Sequence, residues 1–326
     1  MRVAENLNAA LHGLMEQRPE LHVLGEDIAD PYGGAFKITR GLSTRFPERV
    51  LSTPISENAI TGVAAGLALA GDSAIVEMMF GDFTALAFDQ LVNFAAKSVS
   101  MYGSTVPMRM VLRCPVGGGR GYGPTHSQSL QKHFVGVPNL ALYEASPFRD
   151  SAAVLAEMLE RGEPGVLFED KVLYTRRMYE VEPPFVLAER DGGTAEVSLP
   201  GEQPDCVVIA AGGVAHRVLE AMRTLLVEED IACTLLVPSR LYPFDAEDLR
   251  LPDVRRVFVV EEGTAGGTWG AEVAHVLHRR LWSRLDGPVT LVHSADSAIP
   301  TAAHLERAAL VGAASVHRTI LETLRG

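Results

Sequence analysis

The chain has 326 residues, enough for about two domains of ordinary size, and 47% of them are hydrophobic, which argues against intrinsic disorder. Its formal net charge is −12 and it has no run of basic residues, which argues against a nucleic-acid-binding or membrane-surface protein, since both need clustered lysine and arginine. Three separated cysteines, an amphipathic first segment unlike a signal peptide and the absence of a long apolar run predict a cytoplasmic protein that does not span a membrane.

The first half of the chain alternates short apolar runs with helical patterns. Strands are predicted at residues 21–25, 49–53, 73–79, 108–114, 140–145 and 165–169. Helices are predicted at residues 57–70, 83–102 and 148–161. Apolar strands that alternate with helices are typical of a parallel sheet covered by helices on both faces.

The second half repeats this alternation after a segment rich in proline and glycine. That segment, residues 179–204, is interpreted as a linker or an irregular crossover. Strands are predicted at 206–211, 232–237, 256–260 and 289–293, and helices at 215–229, 269–282 and 314–324. We therefore predict two doubly wound α/β domains, residues 1–185 and 200–326.

The first candidate site lies where the second predicted strand turns into a helix of small residues. Glu57 falls in the first turn of that helix, and Ser56 is its predicted N-cap. Open α/β sheets hold ligands at the carboxyl ends of their strands, so the Glu57 carboxyl is placed to meet a bound molecule. A glutamate that only stabilises the helix is the alternative interpretation.

Two other strand ends add candidate residues. Glu26 follows the first strand, where an isolated acid more often caps the next segment. After the third strand, Asp82 is a predicted N-cap, and Met79 and Phe83 are placed to flank a flat heterocycle through sulfur and ring contacts. Core packing explains each of these two apolar side chains equally well when it is taken alone.

A glycine-dense loop, residues 114–128, follows the fourth strand and contains His126. No frame within it satisfies GxGxxG and no predicted helix begins directly after its glycines, so we do not expect it to bind a phosphate. We expect a loop that orders when a substrate or partner binds, with His126 able to transfer a proton or bind a carboxylate. The chain lacks GxSxG, GxxxxGK[ST] and HExxH motifs, and we predict no metal ligands of its own.

Together these segments resemble the beta subunit of the thiamin-diphosphate-dependent decarboxylase component of 2-oxo acid dehydrogenase complexes, in the transketolase-like superfamily. The matching segments are GED at Gly25, GGAFKITRGL from Gly33, ISENAITGVAAGLALAG from Ile55, FGDFTALAFDQLVNFAAK from Phe80, GGGRGYGPTHSQS from Gly117 and EEGTAGGTWGAEVA from Glu261. They occur in the family's order over nearly the whole chain. The resemblance implies a pyrimidine-binding domain followed by a transketolase C-terminal domain.

The resemblance also implies roles for individual residues. The family's invariant glutamate falls on Glu57, where it hydrogen-bonds the pyrimidine nitrogen of thiamin diphosphate. The aromatic residue that packs on the pyrimidine falls on Phe83, and the histidine that contacts the substrate and helps to pass the acyl group to lipoamide falls on His126. An apolar setting formed by Ile55 and Ala59 is expected to raise the pKa of Glu57.

Met79, Ile55 and Glu26 are expected beside the same cofactor. Where branched-chain relatives carry a glutamine before the Phe-x-Asp-aromatic stretch, this chain has Met79, so the resemblance does not assign a substrate.

The sequence has no Gly-Asp-Gly motif, which in single-chain members of the superfamily begins the magnesium- and diphosphate-binding segment. The resemblance therefore implies an alpha subunit that ligates most of the Mg²⁺, an α2β2 heterotetramer, and a lipoyl acyltransferase that receives the acyl group of the 2-oxo acid. Alternative functions are a thiamin-dependent carboligase or biosynthetic decarboxylase subunit, or a non-catalytic assembly subunit.

Overall fold

The structure, a computed structural model, describes residues 1–249 and 251–326. These residues form two compact units, which we describe separately. The first unit consists of residues 1–116 and 134–178, and the second consists of residues 117–133 and 179–326. The glycine-dense segment with His126 thus belongs to the second unit, although it follows a strand of the first in the sequence.

The first unit contains a parallel sheet, as its apolar strand pattern predicts. Its strands are β1 (Leu21–Glu26), β2 (Val50–Thr53), β3 (Ser73–Glu77), β4 (Met110–Val116), β5 (Ala141–Glu144) and β6 (Gly165–Asp170). Its helices are α1 (Val3–Gln17), α2 (Leu42–Arg45), α3 (Glu57–Ala70), α4 (Ala96–Ser98) and α5 (Ser151–Glu160). The strands are ordered β5-β6-β4-β3-β1-β2, and each of these neighbouring pairs is parallel.

Both faces of this sheet are buried, which explains why its strands are apolar at consecutive positions. Successive side chains of a strand point to opposite faces. The core that includes α1 and α5 takes one set of strand residues: Val23, Ile75, Val111 and Leu167. The residues that follow them in each strand are equally buried: Leu24, Val76, Leu112 and Phe168. Such double burial is the pattern of a parallel sheet between two helical layers.

The second unit contains a mixed sheet. Its strands are β7 (Val186–Arg190), β8 (Thr194–Ser198), β9 (Cys206–Ala210), β10 (Cys233–Pro238), β11 (Arg240–Tyr242), β12 (Val257–Thr264) and β13 (Thr290–Ser294). Its helices are α6 (Ala215–Glu229), α7 (Ala246–Leu249), α8 (Trp269–Leu281), α9 (Ala303–Ala309) and α10 (Ala313–Arg325). The sheet order is β13-β12-β9-β10-β8-β7, with parallel pairing from β13 to β10 and antiparallel pairing of β8 with its two neighbours. The predicted α/β class is confirmed.

The segment interpreted as a linker, residues 179–204, contains regular structure. Strands β7 and β8 form an antiparallel hairpin within it. Gly192 and Gly193 lie between the two strands with φ of 76° and 74°, values that favour glycine. The two glycines between short alternating segments are a hairpin signal that outweighs the flanking prolines.

The single helix predicted at residues 83–102 is wrong. The structure has a 3₁₀ helix over Gly81–Ala85, a turn, a π-helix over Gln90–Ala95 and then α4. The Thr84 hydroxyl donates to the carbonyl of Gly81 at 2.6 Å, and the Asn58 amide donates to the carbonyl of Leu86 at 3.3 Å. The Leu86 carbonyl lies within the predicted helix and accepts from the Asn58 side chain, while the Thr84 bond stabilises the 3₁₀ turn that replaces the start of that helix.

No helix in residues 1–249 and 251–326 combines the length and the apolar composition needed to cross a membrane.

Candidate active site

Three parallel neighbours, β1, β2 and β3, bring their carboxyl ends to one edge of the first sheet. Glu26 is the last residue of β1 and pairs with Thr53, the last residue of β2. Glu57 is the first residue of α3, which follows β2 after a short turn. Both glutamate side chains are buried, each 6% exposed. The structure therefore brings together two of the residues that the sequence singled out separately.

Glu26 responds to its burial and to the acidic groups around it. Burial raises the pKa of Glu26, and the charges of Glu57 and Asp27 raise it further, while the backbone N–H of Ser56 donates to the Glu26 carboxyl and lowers it. The Oε1 atom of Glu26 is buried and has no hydrogen-bond partner among the described residues. A buried carboxyl with an unused oxygen is a candidate for binding a polar ligand atom.

In the turn before α3, the expected apolar setting is wrong and the expected N-cap is confirmed in position. Ile55 is 81% exposed and Ala59 is also exposed, so neither covers Glu57 within this chain. Ser56 holds the N-cap position, but its hydroxyl makes no capping bond. Its backbone N–H instead donates to Glu26, so the turn serves the neighbouring strand end.

Phe83 and Met79 lie at the same edge, after β3, and each is half-buried. The Phe83 ring meets the Phe80 ring edge to face at a centroid distance of 6.1 Å, and Phe80 meets Phe36 in the same way at 5.8 Å. Asp82 was predicted to cap a helix, but it lies inside the 3₁₀ helix, which Phe80 precedes. The structure thus places an aromatic cluster after the carboxyl end of β3, the neighbour of β1 in the sheet.

Sequence reasoning missed a buried ionic cluster within the sheet. The Arg113 guanidinium donates to Glu169 at 2.7 and 2.9 Å and to Glu77 at 2.7 Å, and the Tyr174 hydroxyl donates to Glu169 at 2.7 Å. Arg113 is fully buried, and Glu77 pairs in register with Gly25, next to Glu26. Single charged residues inside otherwise apolar strands were the signal that could have revealed this cluster.

Two carboxyls share one guanidinium in this cluster. Burial raises the pKa of Glu77 even though the charge of Arg113 lowers it, and the two carboxylates hold the pKa of Arg113 above its usual range. The Gly34 backbone lies close to the cluster, so that a Cβ on this residue would collide with Oε1 of Glu77. A closely packed ionic cluster therefore lies next to the sheet edge that carries Glu26.

His126 belongs to the second unit and is described there by itself. Its side chain is half-buried, and its Nδ1 atom lies 3.0 Å from the hydroxyl oxygen of Thr125. Its backbone N–H donates to the carbonyl of Gly123 at 3.3 Å. No helix begins directly after the glycines, as expected, since the next helical turn starts at Gln131.

Comparisons with known protein families match almost the whole chain. The family described as "Transketolase, pyrimidine binding domain" matches residues 1–177, and "Transketolase, C-terminal domain" matches residues 193–316. The chain is 32% identical over 315 residues to pyruvate dehydrogenase E1 component subunit beta-4, chloroplastic, of Oryza sativa subsp. japonica, covering 96% of this chain and 77% of that protein. This chain belongs to the transketolase-like E1 beta family.

Other members and a solved structure extend the comparison. The E1 beta subunit of pyruvate dehydrogenase from Chaetosphaeridium globosum is 31% identical over 94% of this chain and 93% of its own length. The structure described as "Split gene transketolase, inactive beta4 tetramer" superposes with a TM-score of 0.74 at 22% identity, covering 100% of this chain and 98% of that one. At this identity the likeness shows a shared fold. The E1 beta family is thiamin-diphosphate-dependent.

The residues at the sheet edge fit the aminopyrimidine ring of this cofactor. Such a ring presents a ring nitrogen and an amine, which need acceptors or a shared proton. The Glu26 carboxyl offers a buried oxygen without a partner, and Glu57 lies beside it. Met79 and Phe83 are half-buried, so part of each side chain remains available to pack against a flat ring.

Proposed function

We propose that this chain is the beta subunit of a 2-oxo acid dehydrogenase decarboxylase component. In this role it takes part in the oxidative decarboxylation of a 2-oxo acid and in the transfer of the acyl group to a lipoyl domain. The observation that carries the proposal is the buried pair of Glu26 and Glu57 at adjacent strand ends, in a chain that belongs to the E1 beta family.

Glu57 is the residue to which we assign proton transfer. Thiamin diphosphate supplies a nucleophilic ring carbon and an electron sink for decarboxylation. The Glu57 carboxyl would share a proton with the pyrimidine nitrogen, and the Glu26 carboxyl, whose pKa is raised by burial and by the charge of Glu57, would offer its unpartnered oxygen to the same ring. Phe83 and Met79 would pack against the ring, and the exposed Ile55 precedes the same helix.

His126 is the residue to which we assign contact with the substrate and acyl transfer. An imidazole can donate or accept a proton, and reductive acylation needs such a group: the disulfide bond of the lipoyl group breaks, one sulfur takes the acyl group as a thioester, and the other sulfur takes up a proton. Its support is the match of its loop sequence to the family's motif and its position in a loop whose backbone is extensively hydrogen-bonded.

We further propose that an alpha subunit completes the site in an α2β2 heterotetramer. This subunit would ligate most of the Mg²⁺ and the diphosphate, since the chain has no Gly-Asp-Gly motif. A lipoyl acyltransferase would accept the acyl group, and the cytoplasm is the compartment that we propose.

The test is reconstitution with an alpha subunit. Thiamin diphosphate binding is measured by calorimetry, with Mg²⁺, for the beta chain alone, the alpha chain alone and their mixture. Release of carbon dioxide from pyruvate and from branched-chain 2-oxo acids is then followed with an artificial electron acceptor.

We expect cofactor binding and turnover only in the mixture, and loss of both when Mg²⁺ is removed by a chelator. Full turnover by the beta chain alone would contradict the shared site. Cofactor binding by the mixture without decarboxylation of any 2-oxo acid would contradict the proposed reaction.

A further inference from the structure

The glycine loop, residues 117–123, has a regular backbone alternation. Gly117, Gly119, Gly121 and Gly123 have φ of 88°, 83°, 71° and 78°, so every second residue lies in the left-handed region. Alternation of this kind turns successive backbone N–H groups toward one side and forms a concave anion-binding site, a nest. The backbone of this loop is therefore shaped to hold an anion.

The anion that it holds belongs to the chain itself. The N–H of Gly119 donates to Oε1 of Glu306 at 2.9 Å, and the N–H of Gly121 lies 3.2 Å from both carboxylate oxygens. Glu306 lies on α9 and is 3% exposed. In the described part of the chain no basic side chain forms an ion pair with Glu306, so these loop N–H groups are the donors that satisfy its charge.

The packing around the nest leaves no room for a side chain at two positions of the loop. A Cβ on Gly118 would lie 2.6 Å from the Leu310 side chain, and a Cβ on Gly123 would lie 2.7 Å from the hydroxyl oxygen of Thr301. Leu310 directly follows α9 and Thr301 lies just before it. The loop thus lies directly against the segment that carries Glu306.

Two further anchors hold the same loop and its continuation. Glu262, on β12, accepts from the Gly118 N–H at 2.8 Å and from the Ser129 hydroxyl at 3.2 Å. The Lys132 ammonium donates to the backbone carbonyls of Thr264 and Gly266 at 3.0 and 3.1 Å. His126 lies in the sequence between these anchors, so both ends of its segment are fixed on the second unit.

We propose that Glu306 is a positioning residue for His126. Its carboxylate occupies the backbone nest, holds the glycine loop in one conformation and thereby fixes the position of the histidine. That Glu306 holds the loop is inferred from the contacts above. That this affects acyl transfer rests on the proposed function. The test therefore has one part without turnover and one part with turnover.

The first part measures amide hydrogen exchange in the full chain by NMR or by mass spectrometry with fragmentation. Glu306→Gln keeps the shape of the side chain and removes its charge. We expect exchange at Gly119 and Gly121 to accelerate by about tenfold or more, since hydrogen bonds to a charged acceptor are the stronger ones. Glu306→Asp keeps the charge and should give a smaller acceleration.

The matched control is Glu261→Gln. Glu261 is also a buried carboxylate of the second unit that accepts backbone N–H groups, from Gly270 at 2.5 Å and Trp269 at 3.3 Å. This variant should accelerate exchange at those two residues and leave Gly119 and Gly121 unchanged. Unchanged exchange at Gly119 and Gly121 in Glu306→Gln would overturn the proposal.

A second variant tests the nest if the Glu306 variants do not fold. Gly121→Ala places a Cβ 3.5 Å from the nearest atom, the Thr301 carbonyl oxygen, so its effect comes from the left-handed backbone rather than from a clash. It should accelerate exchange at Gly119. Slow exchange at Gly119 in this variant would count against the nest as the holding element.

The second part uses the assembled complex with the alpha subunit. In Glu306→Gln we expect kcat for acylation of a lipoyl domain to fall by about tenfold, with the rate of decarboxylation to an artificial acceptor preserved, because misplacement of a catalytic group weakens the step that it serves. His126→Ala should lower the rate of lipoyl acylation more than the rate of decarboxylation, and Glu306→Asp should recover part of the acylation rate lost in Glu306→Gln.

The outcomes separate the two hypotheses. Faster loop exchange with an unchanged lipoyl acylation rate would overturn the positioning role and leave the proposed function intact. If the wild-type complex decarboxylates no 2-oxo acid, the proposed function fails, and the exchange data alone decide whether Glu306 holds the loop.

Discussion

The positions of Glu26 and Glu57 in the fold could be predicted from the sequence. The environment of their side chains could not. Both follow apolar strand patterns, and the rule for parallel sheets places such residues at one edge. The proximity by which the charge of Glu57 raises the pKa of Glu26 depends on β1 and β2 being neighbours in the sheet. The burial of each side chain depends on packing, which is why Ile55 was wrongly expected to cover Glu57.

Glu26→Gln should stabilise the protein in a pH-dependent way. The pKa of Glu26 is raised above its ordinary value of 4.5, so the folded state binds a proton more tightly than the unfolded state. The stability that protonated Glu26 contributes is therefore fully present below pH 4.5, its ordinary pKa, and is lost as the pH rises through the pKa of the folded state. Urea unfolding at a series of pH values should show a gain from the substitution that is absent in acid and grows toward neutral pH.

The control for Glu26 is Glu48→Gln, which changes an exposed acid of the same unit. It should change stability little at any pH. A gain in Glu26→Gln that is independent of pH would contradict the assignment of a raised pKa.

At the scale of elements, the Arg113 cluster joins three strands. Arg113 lies on β4 and contacts Glu77 on β3 and Glu169 on β6. Arg113→Met should lower the free energy of unfolding by about 3–5 kcal/mol, because two buried carboxyls lose their partner. Chemical denaturation with circular dichroism measures this loss.

Arg45→Met is the matched control, since Arg45 pairs with Glu16 at 2.8 Å on the surface. An exposed pair of this kind contributes about 0–1 kcal/mol. Equal losses of unfolding free energy in Arg113→Met and Arg45→Met would contradict the prediction that the buried cluster stabilises the fold more than a surface ion pair does.

The predicted elements differ in how far local sequence determines them. Helix α3 has its predicted bounds, because a run of small and apolar residues ends at Gly71 in the left-handed conformation. The predicted helix at 83–102 fails because Asn58, from a distant part of the chain, binds a carbonyl that the helix would use. The hairpin β7–β8 was not predicted because the prolines around it favoured a linker. These prolines flank the two strands and do not interrupt them.

At the scale of the whole molecule, the helix that begins at Glu57 and the segments beside it also carry exposed apolar side chains. Val63 and Leu69 on α3 are exposed, and so are Ile55 before it and Leu86 after the 3₁₀ helix. Several exposed apolar side chains near one site are typical of an interaction surface. We expect this region to contact the proposed alpha subunit, because Ile55 directly precedes the helix that carries Glu57.

Val63→Glu should weaken assembly with the alpha subunit. Val63 is 53% exposed, so the change introduces a charge into the interface without disturbing the core of the free chain. Val227→Glu is the control, at an equally regular helical position on α6 that is 78% exposed. Light scattering of the mixtures should show a heterotetramer for the control only, and equal assembly of both variants would contradict this interface.

The division of the chain into two α/β units could be predicted from its alternating pattern. That the glycine loop belongs to the second unit could not. The loop follows β4 in sequence, yet its N–H groups bind Glu306, which lies 187 residues after Gly119. Contacts of this range leave no periodic signal in the local sequence. They depend on which backbone donors find a buried carboxylate once both segments are folded.

The most direct test of the account is the turnover of Glu57→Gln in the complex with the alpha subunit. Asp72→Asn, just beyond the other end of α3, serves as the control. We expect thiamin diphosphate binding to persist and decarboxylation with an artificial acceptor to fall by about 10²–10⁴-fold, the usual contribution of a positioned acid or base. A Glu57→Gln complex that decarboxylates its 2-oxo acid at the wild-type rate would contradict the central claim.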